Sequence, residues 1–353
     1  MAEAVHVVGV RPNFMKAAPV VAALESYGAK PMLIHTGQHF DELLSRVFFD
    51  EPGLPAPDLN LGIGSGSHAT QTAALMVALE SAFLDLQPSS VVVHGDVNST
   101  LAAAVVAAKL EIPVAHVEAG LRSFDRSMPE EINRVVTDAV AADHLVTSPE
   151  GVDHLAREGI SGEGVALVGN PMIDTLERFR VRFEPDRSRE AHGLPERYGV
   201  ATLHRPANVD SPANAARLVA AFEGVARLLP MIIPLHPRGA AALRAAGLGD
   251  VAGVTITEPM GYLEFMSLVV GAAVVLTDSG GVQEETTVLG VPCLTMRDNT
   301  ERPITVTLGT NRLVGTDPEV IVAATESVLA APPKGQRPPL WDGEAADALP
   351  MRS

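Results

Sequence analysis

Short apolar runs alternate along this chain with longer, Ala-rich segments of helical periodicity. The runs in the first half are nearly continuous in Val, Ile and Leu, which favours strands buried on both faces of a parallel sheet. The predicted strands are 5–10, 31–37, 90–96, 113–120 and 144–149. The predicted helices are 13–26, 41–49, 69–86, 102–110 and 129–142, with a local irregularity at Pro19.

The same alternation restarts after a charged, Arg-rich segment that follows residues 165–171. Predicted strands are 198–205, 231–237, 254–259, 273–281 and 291–297, and the helices between them include 213–229, 261–269 and 283–289. This pattern predicts the α/β class, with two Rossmann-like domains facing a cleft. We place the domains at 1–172 and 173–331, followed by a tail at 332–353 that contains a short helix, WDGEAADAL. Ligands are expected at the carboxyl ends of the strands.

Composition narrows the possible partners. The 353 residues carry a formal net charge of −17, which disfavours nucleic acid but not a small anion held by a few focused cations. The N-terminus lacks the pattern of a signal peptide, and no apolar run reaches the ~18 residues needed to span a bilayer. The single cysteine, Cys293, lies in an apolar run and is predicted to be a core residue. These features predict a cytoplasmic protein without membrane partners.

A glycine-rich turn between a predicted strand and a helix is the strongest local signal. In LTDSGGVQEE, Ser279, Gly280 and Gly281 let the backbone approach a ligand, and the N–H groups at the helix start favour phosphate oxygens. Glu284 and Glu285 follow in the first helical turns, where a carboxylate can accept hydrogen bonds from ribose hydroxyls. The alternative is a capped helix whose acids complement its dipole.

Cations stand at strand ends in both halves of the chain. His204 and Arg205 end the first strand of the second half, and Arg11 occupies the equivalent turn of the first, with Lys16 further along the helix. His236 follows another strand end. Cations so placed can offset the charge of a pyrophosphate, although each alone could be a solvated basic group.

Three acids occupy comparable positions in the first half. Asp96 and Glu118 close two predicted strands, and Glu130 begins a helix. Carboxylates that converge from separate elements can divide acid and base roles if their environments separate their pKa values. The alternative is capping for Asp96 and helix-dipole stabilisation for Glu130.

Neither a nicotinamide cofactor nor a metal is predicted. The first strand–helix turn, VVGVRPNFMK, lacks the GxGxxG fingerprint of dinucleotide-binding sites. The pairs His94–Asp96 and His116–Glu118 could hold a metal from one strand face, but both histidines lie in apolar runs and are better interpreted as core residues.

Seven motifs together resemble the non-hydrolysing UDP-N-acetylglucosamine 2-epimerases over residues 5–325. In chain order they are VVGVRPNFMKAAPV, HTGQHFD, HGDVNSTLAAA, HVEAGLRSFDRSMPEEINR, ATLHRPANVD, LTDSGGVQEE and MRDNTERPITV. The resemblance implies a glycosyltransferase-B type fold, a UDP-sugar substrate and a homodimer. In this fold the tail commonly crosses back to the first domain.

The resemblance also implies a mechanism that needs no redox cofactor. The family eliminates UDP across carbons 1 and 2 of the sugar, forms a glycal, and adds UDP back after a proton returns to the opposite face. By this analogy Asp96, Glu118, Glu130 and His204 form the catalytic set. Substrate binding then falls to Arg11, Lys16, Arg205, His236, Ser279, Gly280, Gly281, Glu285 and Arg302.

Departures from the family pattern keep several alternatives open. Many relatives carry an acid at the positions of Ala207 and Ile304, and the usual Pro-Gly-Gln of relatives activated by a second UDP-N-acetylglucosamine is missing from GIGSGSHATQT. The alternative activities are 2-epimerisation of a UDP-2,3-diacetamido-uronic acid, hydrolytic epimerisation and retaining glycosyl transfer. A catalytically inactive nucleotide-sugar sensor is the non-enzymatic alternative.

Overall fold

The computed structural model describes residues 4–37, 53–203, 211–235 and 237–348. The chain divides into two compact units, one comprising Met1–Arg178 with Pro339–Ser353 and the other Phe179–Pro338. The helix predicted at 41–49 lies outside the described residues. None of the described helices is long and apolar enough to cross a lipid bilayer.

The first unit is built on a parallel sheet. Its strands are β1 (Ala4–Val8), β2 (Met32–His35), β3 (Leu59–Asn60), β4 (Ser90–His94), β5 (Val114–Ala119), β6 (Asp143–Val146) and β7 (Val165–Leu167). They lie in the order β3-β2-β1-β4-β5-β6-β7. The accompanying helices are α1 (Arg11–Ser26), α2 (His68–Leu86), α3 (Asn98–Lys109), α4 (Pro129–Val140), α5 (Pro149–Arg157) and α6 (Pro171–Arg180), of which the last extends two residues past the unit boundary.

Successive residues of β1 point into different cores, because side chains alternate across a strand. Val7 packs in a cluster with Leu79 of α2 and Ala103 of α3. Its neighbour Val8 packs with Phe14 of α1 on the other side of the sheet. Helices therefore cover both faces, which explains why the strand sequences are continuously apolar.

Helix α1 continues through Pro19 rather than breaking there. Proline has no N–H, so the carbonyl of Met15 loses its normal partner four residues later. The hydroxyl of Thr175 donates to that carbonyl at 2.6 Å. A side chain from α6 thus satisfies the acceptor, and the helix needs no irregular turn.

The segment after Pro339 belongs to the first unit. Trp341 is 1% exposed, and its indole Nε1 donates to the backbone carbonyl of Thr147 at 2.8 Å. The short helix predicted for this segment is wrong within the described residues, because residues 345–348 form a turn. The buried indole, rather than helix formation, fixes the segment.

Asp174 of α6 anchors that turn. Its carboxylate accepts hydrogen bonds from the backbone N–H groups of Ala345 at 3.1 Å and Ala346 at 2.7 Å. Ala346 also packs against Val20 of α1. Desolvation raises the pKa of Asp174 to about 6, although the two backbone N–H groups oppose that rise.

The second unit repeats the design. Its strands are β8 (Gly199–Thr202), β9 (Met231–Pro234), β10 (Val254–Thr257), β11 (Val274–Thr277), β12 (Cys293–Thr295) and β13 (Asn311–Leu313). They form a parallel sheet in the order β10-β9-β8-β11-β12-β13. The helices are α7 (Pro185–Ala191), α8 (Pro212–Ala226), α9 (Pro237–Ala245), α10 (Tyr262–Gly271), α11 (Gly280–Leu289), α12 (Ile304–Thr307) and α13 (Pro318–Ala330). The two parallel, helix-covered sheets confirm the predicted α/β class.

The largest apolar cluster of this unit joins α8 and α13 to the sheet, with Phe222 and Ile321 fully buried. Cys293 on β12 is also fully buried, and desolvation raises the pKa of its thiol to about 11. A neutral thiol in such a place behaves as a small apolar side chain. The prediction that Cys293 is a core residue is confirmed.

Candidate active site

The candidate site of the first unit begins where the neighbouring strands β1 and β4 end. The side-chain oxygen of Asn13 accepts hydrogen bonds from the backbone N–H groups of Gly9 at 3.1 Å and Val10 at 3.3 Å. Its amide nitrogen donates to the carbonyl of His94 at 2.8 Å. One buried amide therefore ties the turn after β1 to the end of β4, two residues before Asp96.

A buried ion pair lies beside this junction. The ammonium group of Lys16 donates to Oε2 of Glu118, and both side chains are nearly inaccessible to solvent. Glu118 has a φ of +78°, and the pairing of β5 with β6 shifts register between Val117 and Ala119. A β-bulge of this kind re-aims a side chain at the end of a strand. The geometry turns the Glu118 carboxylate towards Lys16 and the backbone of Gly95.

A second set of ionic contacts fixes Asp96. Nε of Arg134 donates to Oδ2 of Asp96 at 3.0 Å, and Nη2 of the same guanidinium lies 2.9 Å from that oxygen as an ion pair. The same guanidinium donates from Nη1 to Glu131. Glu131 in turn accepts hydrogen bonds from the backbone N–H groups of Ser123 and Phe124, each at 2.9 Å. The guanidinium of Arg134 is therefore held on one side by Glu131, whose carboxylate binds the turn at Ser123 and Phe124, and on the other side by Asp96.

Exposure distinguishes the acids of the first unit. The side chain of Asp96 is 23% exposed, whereas those of Glu118 and Glu131 are each 3% exposed. Glu130, which the sequence placed in the catalytic set, is half-buried and lies outside this chain of contacts. Its neighbour Glu131 holds the network instead, because consecutive helical residues point about 100° apart. The acid–Arg spacing of three residues between Glu131 and Arg134 was a signal available in the sequence.

The two histidines considered as metal ligands are buried and hydrogen-bonded. His94 contacts His6 through ring nitrogens 3.2 Å apart, and desolvation, with smaller effects from nearby charges, lowers its pKa well below the ordinary value. His116 contacts Asp138 at 2.6 Å. Among the described residues, no three His, Cys, Asp or Glu side chains are grouped so as to hold a metal ion.

In the second unit, Ser279 is the N-cap of α11, so the glycine-rich turn opens a helix as predicted. Ser279, Gly280 and Gly281 are half-buried, and the first N–H groups of a helix have no intrahelical partner. Glu285, one turn further on, is 3% exposed. The helix start can receive an anion, since unpaired N–H groups and the helix dipole act together there.

Arg302 lies against this turn but is engaged by carboxylates. Its Nε is 2.7 Å from Oε1 of Glu284, and its Nη1 donates to Glu301. A Cβ at Gly280 would overlap the guanidinium, so only glycine allows this close packing. These contacts make Arg302 a support for the turn as well as a candidate for substrate binding.

The remaining predicted residues lie beyond what the structure describes. His204, Arg205 and His236, like Ala207, fall outside the described residues, and nothing is described for the side chain of Arg11, although its backbone begins α1. Ile304, by contrast, is described. It is 3% exposed at the start of α12.

Comparison with known proteins gives a consistent picture. Residues 22–349 match the family profile described as UDP-N-acetylglucosamine 2-epimerase. The UDP-N-acetylglucosamine 2-epimerase of Methanocaldococcus jannaschii is 43% identical over 336 residues, which cover 92% of this chain and 91% of that protein. The UDP-2,3-diacetamido-2,3-dideoxy-D-glucuronate 2-epimerase of Pseudomonas aeruginosa is 40% identical over 329 residues, with 92% and 91% covered.

A solved structure is similar over nearly the whole chain. The crystal structure of the Methanocaldococcus jannaschii UDP-GlcNAc 2-epimerase, in complex with UDP-GlcNAc and UDP, is 40% identical. It matches with a TM-score of 0.90 and covers 98% of this chain and 97% of that one. The similarity therefore extends through both units.

Proposed function

Because this chain belongs to the UDP-N-acetylglucosamine 2-epimerase family, we propose that it interconverts UDP-N-acetylglucosamine and UDP-N-acetylmannosamine. UDP is eliminated across carbons 1 and 2, and the resulting glycal takes UDP back after a proton has returned to the other face of carbon 2. The observation that carries this proposal is the placing of Asp96 and Glu118, each beside a fixed cation, around Gly95.

Two carboxylates suit this chemistry because the hydrogen on carbon 2 is not acidic and can be removed only as the bond to the departing UDP breaks. One group removes the proton from one face and the other delivers a proton to the opposite face. Asp96 is partly exposed and held by Arg134, whereas Glu118 is buried and held by Lys16. Different environments of this kind separate acid and base roles. His204 and Glu130 remain candidates for the same set.

We assign the nucleotide end to the second unit. The helix start at Ser279, Gly280 and Gly281 favours a phosphate, and Glu285 is the candidate partner of the ribose. Developing negative charge on the leaving pyrophosphate is best stabilised by fixed cations. The candidates for that role are Arg11, Lys16, Arg205, His236 and Arg302.

Proton NMR of the purified protein with UDP-N-acetylglucosamine in deuterated water tests the reaction. We expect a UDP-N-acetylmannosamine anomeric signal together with deuterium at carbon 2. An unchanged substrate would refute the proposed activity on this sugar, and release of free N-acetylmannosamine would indicate hydrolysis instead.

The variants Asp96→Asn and Glu118→Gln then separate the two roles. Each is incubated with either epimer in deuterated water. We expect one variant to exchange the carbon-2 proton of one epimer without forming the other, because the remaining carboxylate removes and returns the proton on the same face. Full epimerisation by either variant would contradict the assignment.

A second substrate has a specific argument in its favour. The Pseudomonas aeruginosa relative, which is 40% identical, is named for a UDP-2,3-diacetamido-uronic acid. The same NMR experiment with that substrate decides between the two. If kcat/KM is larger for the uronic acid than for UDP-N-acetylglucosamine, the uronic acid is the preferred substrate.

We also propose that the protein is a homodimer and acts in the cytoplasm. Val77 and Leu84 of α2 are 72% and 57% exposed and lie seven residues apart, on one face of the helix. Two exposed apolar side chains on one face of a helix offer a surface for association with a second copy of the chain. Light scattering should give twice the monomer mass for the wild type and the monomer mass for Val77→Glu/Leu84→Glu. A monomeric wild type would refute it.

A further inference from the structure

A buried carboxylate on α4 joins the ends of two strands. Asp138 has no exposed side-chain surface, and its Oδ1 lies 2.6 Å from Nδ1 of His116. Its Oδ2 lies 2.7 Å from Nη1 of Arg122 and accepts the backbone N–H of Gly120 at 3.1 Å. Three donors from β5 and the turn after it thus converge on one side chain.

The other ring nitrogen of His116 reaches the turn after β4. Nε2 lies 2.8 Å from the carbonyl oxygen of Gly95, which can only accept a hydrogen bond. Desolvation opposes ionisation of Asp138, but the charges and hydrogen bonds of His116 and Arg122 lower its pKa to about 2. An ionised carboxylate also only accepts. Both ring nitrogens of His116 therefore lie against acceptor oxygens, one on Asp138 and the other on the backbone of Gly95, and the ring bridges the two.

The backbone groups that His116 and Asp138 contact lie next to both candidate acids in the chain. Gly95 immediately precedes Asp96, and Gly120 follows Glu118 by two residues. We propose that His116 and Asp138 are positioning residues, which fix Asp96 and Glu118 relative to each other through the backbones of Gly95 and Gly120. This proposal rests on the epimerase function proposed above.

Two amide substitutions of His116 each preserve one of its two contacts and remove the other. In His116→Gln, the amide nitrogen occupies the place of Nε2 and can still donate to Gly95. In His116→Asn, it occupies the place of Nδ1 and can still donate to Asp138. Both variants place an amide in the same buried space, and urea unfolding of each measures any difference in stability that comes from the shorter side chain of Asn.

We expect kcat to differ between the two variants. His116→Asn frees the turn that carries Asp96 and should lower kcat roughly 100-fold, the cost of an ångström-scale misplacement, with KM for UDP-N-acetylglucosamine nearly unchanged. His116→Gln should keep at least about tenfold more activity than His116→Asn, because the Gly95 contact survives. Equal kcat values in the two variants would overturn the proposal.

His144 provides a matched control. It is a buried histidine on the adjacent strand, in register with His116, and its Nε2 contacts the backbone carbonyl of the same Asp138 at 2.8 Å. His144→Gln should keep the wild-type kcat. A loss equal to that of His116→Asn would show that any buried histidine of this sheet matters equally, against a positioning role.

Hydrogen–deuterium exchange provides a readout that does not depend on activity. The backbone N–H of Gly95 is bonded to the carbonyl of Val117 at 3.0 Å. The peptide that contains Gly95 and Asp96 should exchange faster in His116→Asn and at the wild-type rate in His116→Gln. Equal exchange in both variants would refute the positioning role, whereas absence of turnover in the wild type would refute the epimerase function alone.

Discussion

Replacement of Gly95 by alanine should impair turnover far more than folding. Gly95 is buried between β4 and Asp96, with a φ of +66°. An added Cβ would lie 3.0 Å from the Lys16 ammonium nitrogen and 3.2 Å from Oε2 of Glu118. Both atoms end flexible side chains, so the ion pair should move by a few tenths of an ångström rather than the sheet being disrupted.

Two effects contribute to the expected magnitude. Alanine in a left-handed backbone conformation costs about 1–2 kcal/mol of stability. Displacement of Glu118 and Lys16 from their set positions should lower kcat by roughly 10- to 100-fold, because catalysis is sensitive to small misplacements. Gly193 separates these effects, since its φ is +63° and a Cβ added there would have nothing within 4 Å. Gly193→Ala therefore carries the backbone strain without the displacement.

Urea unfolding and carbon-2 deuterium exchange with UDP-N-acetylglucosamine measure the two quantities. Gly95→Ala and Gly193→Ala should lose similar free energies of unfolding, whereas only Gly95→Ala should lose exchange. If Gly95→Ala retained the turnover of Gly193→Ala, the contact of Glu118 and Lys16 with Gly95 would have no catalytic significance. If Gly95→Ala failed to fold, the assumption that the side chains yield would be wrong.

Three further changes give expected outcomes. Lys16→Met should lower the free energy of unfolding by roughly 3–5 kcal/mol because the buried Glu118 loses its ion pair with Lys16, and urea titration should show that Lys16→Met/Glu118→Gln recovers much of that loss. Arg134→Lys should lower kcat at least about tenfold with little change in urea midpoint, because a single ammonium group cannot hold Asp96 and Glu131 in the fixed geometry of a guanidinium; steady-state assays showing a wild-type kcat would contradict this. Asp174 has a folded-state pKa raised to about 6 from 3.8, so its contribution to stability is greatest below pH 4 and is lost as pH rises to about 6. Unfolding at stepped pH should show that slope in the wild type and a smaller one in Asp174→Asn, and equal slopes would refute the assignment.

The sequence predicted the sheets well because their strands are covered on both faces. Continuous runs such as that of β4 bury every second residue on each side, so the apolar pattern is independent of register. The positions of Asp96 and Glu118 at strand ends also predicted that they lie at the same edge of the sheet, since the carboxyl ends of parallel strands lie at one edge. The bulge at Glu118 was not foreseeable from residue types, because it depends on the pairing of β5 with β6.

Helix α4 shows why other site residues were missed. Its buried positions are polar, namely Glu131, Asn133, Arg134, Thr137 and Asp138, while Ile132 is 40% exposed. Amphipathic reasoning assigns the polar face of a helix to solvent. Here that face lies against the site, so the pattern predicts the helix but does not show which of its sides is buried. Similarly, nothing in the sequence linked Pro19 to Thr175, which lies 156 residues away and supplies the missing partner of α1.

The same helix provides a reason for the rigidity of the first unit's site. Arg134 holds the carboxylate of Asp96, and Asn133 donates to its backbone carbonyl at 2.8 Å. One turn further on, Asp138 holds Gly120 and, through His116, the carbonyl before Asp96. A single helix therefore orients both a side chain and the backbone that carries it, from two successive turns. Because buried charges are costly unless they are paired, the ion pairs and hydrogen bonds of this polar face favour one arrangement of the two acids over others.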